Sequence, residues 1–455
     1  MMQSWRLSQL TQPLVAQLIG SDTAITGVST DSRSIADGDL FVALRGDNFD
    51  GHDYLQQVRQ AGARAAIVDC EVTEDMPVLK VMNTEKALGL LGAHNRNAFV
   101  GPLVGITGSG GKTTTKNMIA AILSQRGRTL ATQGNYNNQL GVPLTLLKLS
   151  PEHEFAVVEM GAAGAGDIAY LVELGRPSIA VLLNALPAHL QGFGSIDGVA
   201  TAKAEIFDDL GADDVAIFNA DLRWAQQWRT RAGKAKVLDF GFSATAAVRA
   251  HSMQSLGLQG TRFSVSALGD EFSVFIPLPG KHNVANALAA IAVGLSCEIS
   301  QEEICRGLKS LSSVAGRLEN VEAASGAQII DDCYNANPES VKAAIDVLAQ
   351  CDGRRTLVLG AMRELGADSD ALHIEVVEYA AANGVDQLWG VGPELKKAVT
   401  AFAGGGHFFA SREDAINATR NAFSEGDYVL VKGSRGAKME LVLAALVNTH
   451  KVRED

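Results

Sequence analysis

Cysteine is sparse and unpatterned in this chain. The five thiols, Cys70, Cys297, Cys305, Cys333 and Cys351, are scattered, odd in number and include no CxxC pair. That leaves no disulfide framework and fits free thiols in a reducing compartment. An excess of positive charge is also missing. Lys and Arg number 39 against 51 Asp and Glu, a net charge of -12. Nucleic acid and anionic membrane are therefore excluded as main partners, and any anionic substrate must be held by local Lys, Arg and helix N-termini. No apolar run is long enough to span a bilayer, because the best stretch, Val284 to Cys297, is cut by Asn286. The start, Met1-Met2-Gln3-Ser4-Trp5-Arg6, lacks a signal-peptide core, so the expected location is cytoplasmic. Short-period repeats and low-complexity tracts are absent too, so nothing points to a solenoid or a disordered tail.

At 455 residues the chain is too long for one core. Three blocks can be separated, at 1–84, 85–314 and 315–455. The first has short β-like runs (Leu40 to Leu44, Ala65 to Val68, Val78 to Met82) around one helical candidate, Tyr54 to Ala61. The second alternates apolar strands at Leu103 to Ile106, Phe155 to Glu159, Ile179 to Leu183 and Val215 to Asn219 with helices. A more β-like segment, Phe263 to Ile276, then precedes a helix at His282 to Gly294. The third repeats the alternation, with strands at Gln328 to Asp331, Thr356 to Gly360, Gln387 to Val391 and Tyr428 to Lys432 and a helix at Ser340 to Ala349. Alternation of this kind predicts mostly parallel sheets covered on both faces. The expected fold class is α/β in three domains: a small N-terminal α/β unit, a central phosphate-loop (P-loop) doubly wound sheet, and a C-terminal Rossmann-like unit.

The strongest signal is Gly105-Ile106-Thr107-Gly108-Ser109-Gly110-Gly111-Lys112-Thr113-Thr114. It follows the first strand of the second block and opens into a helix predicted over Lys116 to Gln125, with Gly127 placed to end it. A glycine-rich turn there aims backbone N–H groups at one spot, and the helix N-terminus adds positive potential. Its spacing, Gly108-x-x-Gly111-Lys112-Thr113, is shorter than the standard Walker pattern. Lys112 would reach the β- and γ-phosphates of ATP and Thr113 would hold Mg²⁺. Ligands of parallel sheets bind beyond the strands' carboxyl ends, where Glu159, Asn184 and His189 fall. A carboxylate beside a triphosphate is a natural Mg²⁺ ligand. Glu159 could equally cap a helix, His189 could be a loop residue, and on pattern alone Lys203 reads as a solvated helical lysine.

Together these motifs resemble the Mur ligases of bacterial cell-wall synthesis, and the resemblance covers essentially the whole chain. It is carried by Thr107 to Thr114, by Gly134-Asn135-Tyr136-Asn137-Asn138 and by Glu159-Met160-Gly161-Ala162. It continues through Ala188-His189-Leu190 with Phe193-Gly194-Ser195, Lys203-Ala204-Glu205-Ile206, Gly280-Lys281-His282-Asn283 with Asn286, and Gly316-Arg317. The runs Asp331-Asp332-Cys333-Tyr334-Asn335-Ala336-Asn337-Pro338-Glu339-Ser340 and Lys432-Gly433-Ser434-Arg435 with Met439-Glu440 point to the branch that adds D-alanyl-D-alanine. So do Ser29-Thr30-Asp31-Ser32-Arg33 and Asp50-Gly51-His52 in the first block.

The resemblance implies an ATP-dependent amide ligase acting on UDP-N-acetylmuramoyl-tripeptide and D-alanyl-D-alanine through an acyl-phosphate, with a monomer as the expected state. It also implies roles. Lys112, Lys203, His189 and Glu159 would be catalytic. Thr113, Glu159, His189 and a carbamylated Lys203 would hold two Mg²⁺. Gly108, Ser109, Gly110, Gly111, Lys112, Thr113, Thr114, His282, Asn283, Asn286, Arg317 and Asp332 would bind ATP. Ser29, Thr30, Asp31, Ser32 and Arg33 would take the UDP end, and Asn137, Asn138, Tyr334, Asn335, Asn337 and Ser434 the rest of the substrates. Two departures stand out. Gly360-Ala361-Met362 replaces the common Gly-Asp-Met and so lacks a carboxylate, and Cys333 stands where Thr or Ser is common. The rival readings are another Mur ligase, a folylpolyglutamate synthase, a phosphate-loop kinase or switch, and a UDP-sugar binding module.

Overall fold

The structure, a computed structural model, describes residues 4–187, 190–312, 315–419 and 422–448. Its first main sheet has five strands in the order Gln17–Ile19, Val78–Lys80, Ala65–Val68, Asp39–Val42, Gly27–Ser29. All pairings are parallel except that of the first edge strand. The helix Thr84–Arg96 leads out of this unit. It buries Ala87, Leu88 and Leu91 against Leu40, Val42, Ile67 and Leu79, a face set by its apolar spacing. Asn83 caps it, accepting from the Lys86 N–H at 2.8 Å.

The central sheet is all parallel, in the order Thr129–Ala131, Phe155–Glu159, Leu103–Thr107, Ile179–Leu182, Val215–Phe218, Lys236–Val237. The interior strands are buried on both faces, which is why they read as continuous apolar runs. Helices Lys112–Leu123 and Lys281–Ser296 cover one face and pack on each other through Ile119, Ile122, Ala287 and Ile291. Helices Asp167–Gly175 and Ile196–Lys203 cover the other. A four-stranded sheet, Phe240–Gly241, Val248–Ser255, Thr261–Ala267 and Asp270–Ile276, extends the first of these cores. The segment expected as one β-like run is thus a hairpin, turned at Leu268 and Gly269 with φ of 54° and 94°.

The third sheet runs Glu319–Glu322, Gln328–Asp332, Asp427–Lys432, Arg354–Gly360, Gln387–Val391, Gly406–Phe409, parallel apart from the first pair. Its helices lie on both faces, as a doubly wound unit requires. Two helix boundaries differ from expectation. The phosphate-loop helix starts at Lys112 rather than Lys116, and the next long helix at Lys281. Among the described residues no helix is long and apolar enough to cross a membrane.

Candidate active site

The site is built where the carboxyl ends of the central strands meet the third sheet. The chain leaves the strand Leu103–Thr107 through Gly108 and enters the helix through Gly111 at φ 80°, a left-handed conformation that favours glycine. A side chain at Gly111 is also blocked, since a Cβ there would come within 2.4 Å of Asn286 Oδ1. Asn286 in turn donates to Asn283 Oδ1 at 3.2 Å, and Asn283 donates to the Pro279 carbonyl at 2.8 Å. The Asn283–Asn286 pair therefore braces the loop from the neighbouring helix. From the next strand end, Asn184 Oδ1 accepts from the N–H groups of Ser109 and Gly110, both at 3.0 Å, while its Nδ2 donates to the Gly110 carbonyl at 3.1 Å. Ser109 Oγ is bracketed by the backbone of Leu186. Thr114 lies in the first helical turn beside Lys112 and Thr113.

Three parts of the chain converge on one hydroxyl. Thr113 Oγ1 donates to Glu159 Oε2 at 3.0 Å and accepts from Arg317 Nη2, also at 3.0 Å. Glu159, 2 % exposed, takes a further bond from Asn137 Nδ2 at 2.8 Å, and its own N–H donates to Thr132 Oγ1 at 3.0 Å. Lys112 Nζ donates to the Gly108 carbonyl at 2.8 Å. Burial holds its pKa below the ordinary lysine value, with Glu159 opposing and Arg317 adding to the shift. Lys116, which donates to the Thr132 carbonyl at 2.6 Å, is lowered by the same causes.

Lys203 is no solvated helical lysine. It ends the helix Ile196–Lys203 with 3 % of its surface exposed, and its Nζ lies 5.8 Å from the centre of the Phe193 ring. Burial, then the charge of Lys112, pushes its pKa down to about 7. Among the described residues no carboxylate pairs with it. His189 lies outside the described residues.

The third unit supplies the opposite wall. Arg317 stacks 4.3 Å from the Tyr334 ring centre, so its reach to Thr113 is pre-aimed. Asp331 fixes the loop on which it sits, accepting from the N–H groups of Gly316 and Cys333 at 3.0 Å each. Asp332 forms an ion pair with Lys432, which is 2 % exposed and also donates to the Asn335 carbonyl at 3.0 Å. His282 is held below its ordinary pKa by burial, and the Asp332 charge partly offsets this. Cys333 is buried with its thiol pushed well up by burial and by Asp331, so it is no nucleophile.

Several expected substrate contacts have local structural partners. Asn337 Oδ1 caps the helix Pro338–Leu348 by accepting from the Ser340 N–H at 2.8 Å, and Asn138 Oδ1 accepts from the Gly141 N–H at 2.9 Å. Ser434 Oγ donates to the Ala336 carbonyl at 3.2 Å and accepts from the Arg363 N–H at 2.8 Å. Asn335 is exposed, with its Oδ1 on the Ala336 N–H. In the first unit Ser29 Oγ bonds within its own turn with Asp31, and Arg33 forms a bidentate pair with Asp31 at 2.8 and 2.7 Å. That guanidinium holds the Asp31 carboxyl down at about 2. Thr30 and Ser32 are half-buried in the same turn, and no described contact joins it to the phosphate loop. Lys116, Thr132 and Asp331 also shape the site, although of the loop-shaping residues the sequence singles out only Asn184. Their one sequence signal is position, since most of them close or follow an apolar strand.

A phosphate loop, a buried carboxylate beside it and an arginine delivered by a separate α/β unit define an enzyme that acts on a nucleotide's phosphoryl group at a site between two units. Comparison with known proteins narrows the class. The Mur ligase middle domain matches residues 106–294, the glutamate ligase domain of Mur ligases 316–435, and the catalytic domain of the Mur ligase family 24–96. UDP-N-acetylmuramoyl-tripeptide–D-alanyl-D-alanine ligase of Escherichia coli K12 is 43% identical over 442 residues, covering 97% of this chain and 98% of that protein. The crystal structure of MurF from Acinetobacter baumannii superposes with a TM-score of 0.93 at 34% identity, covering 98% of this chain and 99% of the other. MurF from Thermotoga maritima in complex with ADP gives 0.83 at 29% identity, over 92% and 96%. The chain belongs to the Mur ligase family, whose members are ATP-dependent amide ligases. Within the family it is of the MurF type.

Proposed function

We propose that this enzyme joins D-alanyl-D-alanine to the terminal carboxylate of UDP-N-acetylmuramoyl-tripeptide, with ATP converted to ADP and phosphate, in peptidoglycan precursor synthesis. The observation that carries the reading is the convergence of Arg317, Thr113 and Glu159 at the phosphate loop, in a chain similar along its length to ligases of that name. The γ-phosphoryl group passes to a carboxylate oxygen, giving an acyl-phosphate and ADP. The dipeptide amine then attacks the acyl carbon, a proton leaves the nitrogen, and the tetrahedral intermediate expels phosphate as the amide forms. Little covalent help is needed from the protein, so positioning and charge neutralisation carry the first step. Lys112 and the N–H groups at the start of the helix Lys112–Leu123 would face the transferring phosphates, while Asn184 holds the Gly110 N–H. Arg317 ties the third unit to that spot, which excludes water from an acyl-phosphate that would otherwise hydrolyse.

The donor chemistry fits magnesium. The Thr113 hydroxyl and the Glu159 carboxylate are hard oxygen ligands side by side, and His189 follows the next strand. Lys203 as a cation would repel a metal. With its pKa near 7 much of it is neutral amine, the form that takes up CO₂, and the resulting carbamate would supply two more oxygens. Bound there, Mg²⁺ would offset the negative charge of the phosphoryl oxygens.

The test is phosphate release from Mg-ATP with UDP-muramoyl tripeptides ending in diaminopimelate or lysine, each with and without D-alanyl-D-alanine. Release that needs both substrates and favours one tripeptide supports the reading. Release that ignores the dipeptide would replace it with a kinase or a switch.

A further inference from the structure

Lys116 is a buried cation that the reaction steps above do not use. It lies on the helix Lys112–Leu123, one turn beyond Lys112, with 4 % of its surface exposed. An ammonium group carries three N–H donors, and the one described acceptor here is the Thr132 carbonyl at 2.6 Å. Glu159 is the charge that favours the ammonium form, while burial and Arg317 work against it. A methionine of similar length would fill the same space without burying a charge. Packing alone therefore gives no reason for a lysine at this position.

The far end of its hydrogen bond leads to Glu159. Thr132 is 2 % exposed; its N–H donates to the Val157 carbonyl at 3.0 Å, and its Oγ1 accepts from the Glu159 N–H at 3.0 Å. Further along the same loop, Asn137 donates to Glu159 Oε1 at 2.8 Å, and its carbonyl accepts from the Gly161 N–H at 2.7 Å. One loop thus frames Glu159, with Thr132 on its backbone and Asn137 on its carboxylate. Two described hydrogen bonds tie that frame to the phosphate-loop helix, Thr113 to Glu159 and Lys116 to Thr132. The first joins the two oxygens assigned to magnesium, so an ion that takes both oxygens displaces it. The second then remains to keep the helix carrying Thr113 in register with the strand end carrying Glu159. We propose that Lys116 is a positioning residue for the metal site, setting the placement of Glu159 against Thr113 through its grip on Thr132. This rests on the magnesium assignment above and adds a supporting residue to it.

The test titrates Mn²⁺, a paramagnetic stand-in for Mg²⁺, into enzyme and ADP and reads the protein-bound fraction from water-proton relaxation. Lys116→Met removes the donor, and Thr132→Val breaks the next link, from Thr132 to the Glu159 N–H. Each should raise the Mn²⁺ dissociation constant by about tenfold, the scale on which supporting residues act on a metal site. The affinity for ADP in EDTA should stay unchanged, and excess Mg²⁺ should restore turnover. The double variant should bind Mn²⁺ no worse than the weaker single one, because both changes break one chain of contacts. Lys116→Gln, one bond shorter in reach, replaces the methionine variant if that one does not fold, and should show the same loss. Unchanged Mn²⁺ affinity in both single variants, or a double loss equal to the product of the single ones, would overturn the proposal. So would an equal loss of ADP affinity in EDTA, which would make Lys116 a prop of the phosphate loop. No bound Mn²⁺ in the unaltered enzyme with ADP would overturn the magnesium assignment and this proposal with it, whereas dipeptide-dependent phosphate release tests the ligase reading separately.

Discussion

Replacing Lys203 by Met should make the protein more stable while destroying its activity. Lys203 is 3 % exposed, so its charge is not screened by solvent, and its pKa falls from 10.5 to about 7 on burial. At 1.36 kcal/mol per pH unit, that displacement corresponds to at most about 5 kcal/mol against the folded state when the amine is charged. Below pH 7 both folded and unfolded chains are protonated and the full cost applies. Between pH 7 and 10.5 the folded state binds fewer protons than the unfolded one, so the wild type gains stability as pH rises. Above 10.5 both are neutral and the cost is gone. Lys203→Met should therefore be more stable by several kcal/mol at pH 7, and the advantage should shrink by about 1.4 kcal/mol per pH unit toward pH 10. Urea unfolding followed by tryptophan fluorescence reads this out, because Trp228 Nε1 donates to the Ala200 carbonyl at 3.3 Å on the same helix. The buffers must be free of CO₂, since carbamylation would turn the cation into an anion. A variant no more stable than wild type at pH 7, or one whose advantage is equal at pH 7 and pH 10, would refute the reasoning.

Other consequences concern the loop and its neighbours. Asn184→Ala removes three hydrogen bonds of about 1 kcal/mol each, so the ATP dissociation constant measured by calorimetry should rise by roughly ten- to a hundredfold. Arg317→Lys keeps the charge but loses the planar stack on Tyr334, and kcat should fall by about 100-fold with little change in melting temperature. Glu159→Gln can still accept from Asn137 through its carbonyl oxygen and turn its amide N–H toward the Thr113 hydroxyl, so the fold should hold while steady-state kinetics show a higher Mg²⁺ requirement and a kcat lower by at least about 100-fold. Lys112→Ala should abolish turnover with unchanged circular dichroism, and near-normal turnover would contradict the assignment of the phosphate loop.

What could be read from the sequence was whatever local chemistry dictates. The strand Leu103–Thr107 and the loop after it were legible because buried parallel strands are apolar throughout and because Gly108 and Gly111 take positive φ. The helix start at Lys112 was less so. Thr113, Thr114 and Thr115 are weak helix formers, and Gly111 and the bracing helix override that preference. Thr129–Ala131, Val248–Ser255 and Gly406–Phe409 were missed because short or half-polar strands carry little alternation. Pairings between distant segments leave no local trace. Nothing near Lys432 announces that it meets Asp332, a hundred positions earlier, and nothing near Arg317 announces that it crosses to Thr113. The same limit hid the state of Lys203, whose neighbours in sequence look like an exposed helix and whose neighbours in space are Phe193 and the phosphate loop.

The central claim is that ATP activates a carboxylate as an acyl-phosphate before the amine attacks. Tripeptide labelled with ¹⁸O in its terminal carboxylate tests it most directly, by mass analysis of the phosphate released in the presence of Mg-ATP and D-alanyl-D-alanine. The account predicts one ¹⁸O carried into each phosphate for every amide formed, because the bridging oxygen leaves with the phosphoryl group. Phosphate free of label, alongside normal amide product, would contradict it.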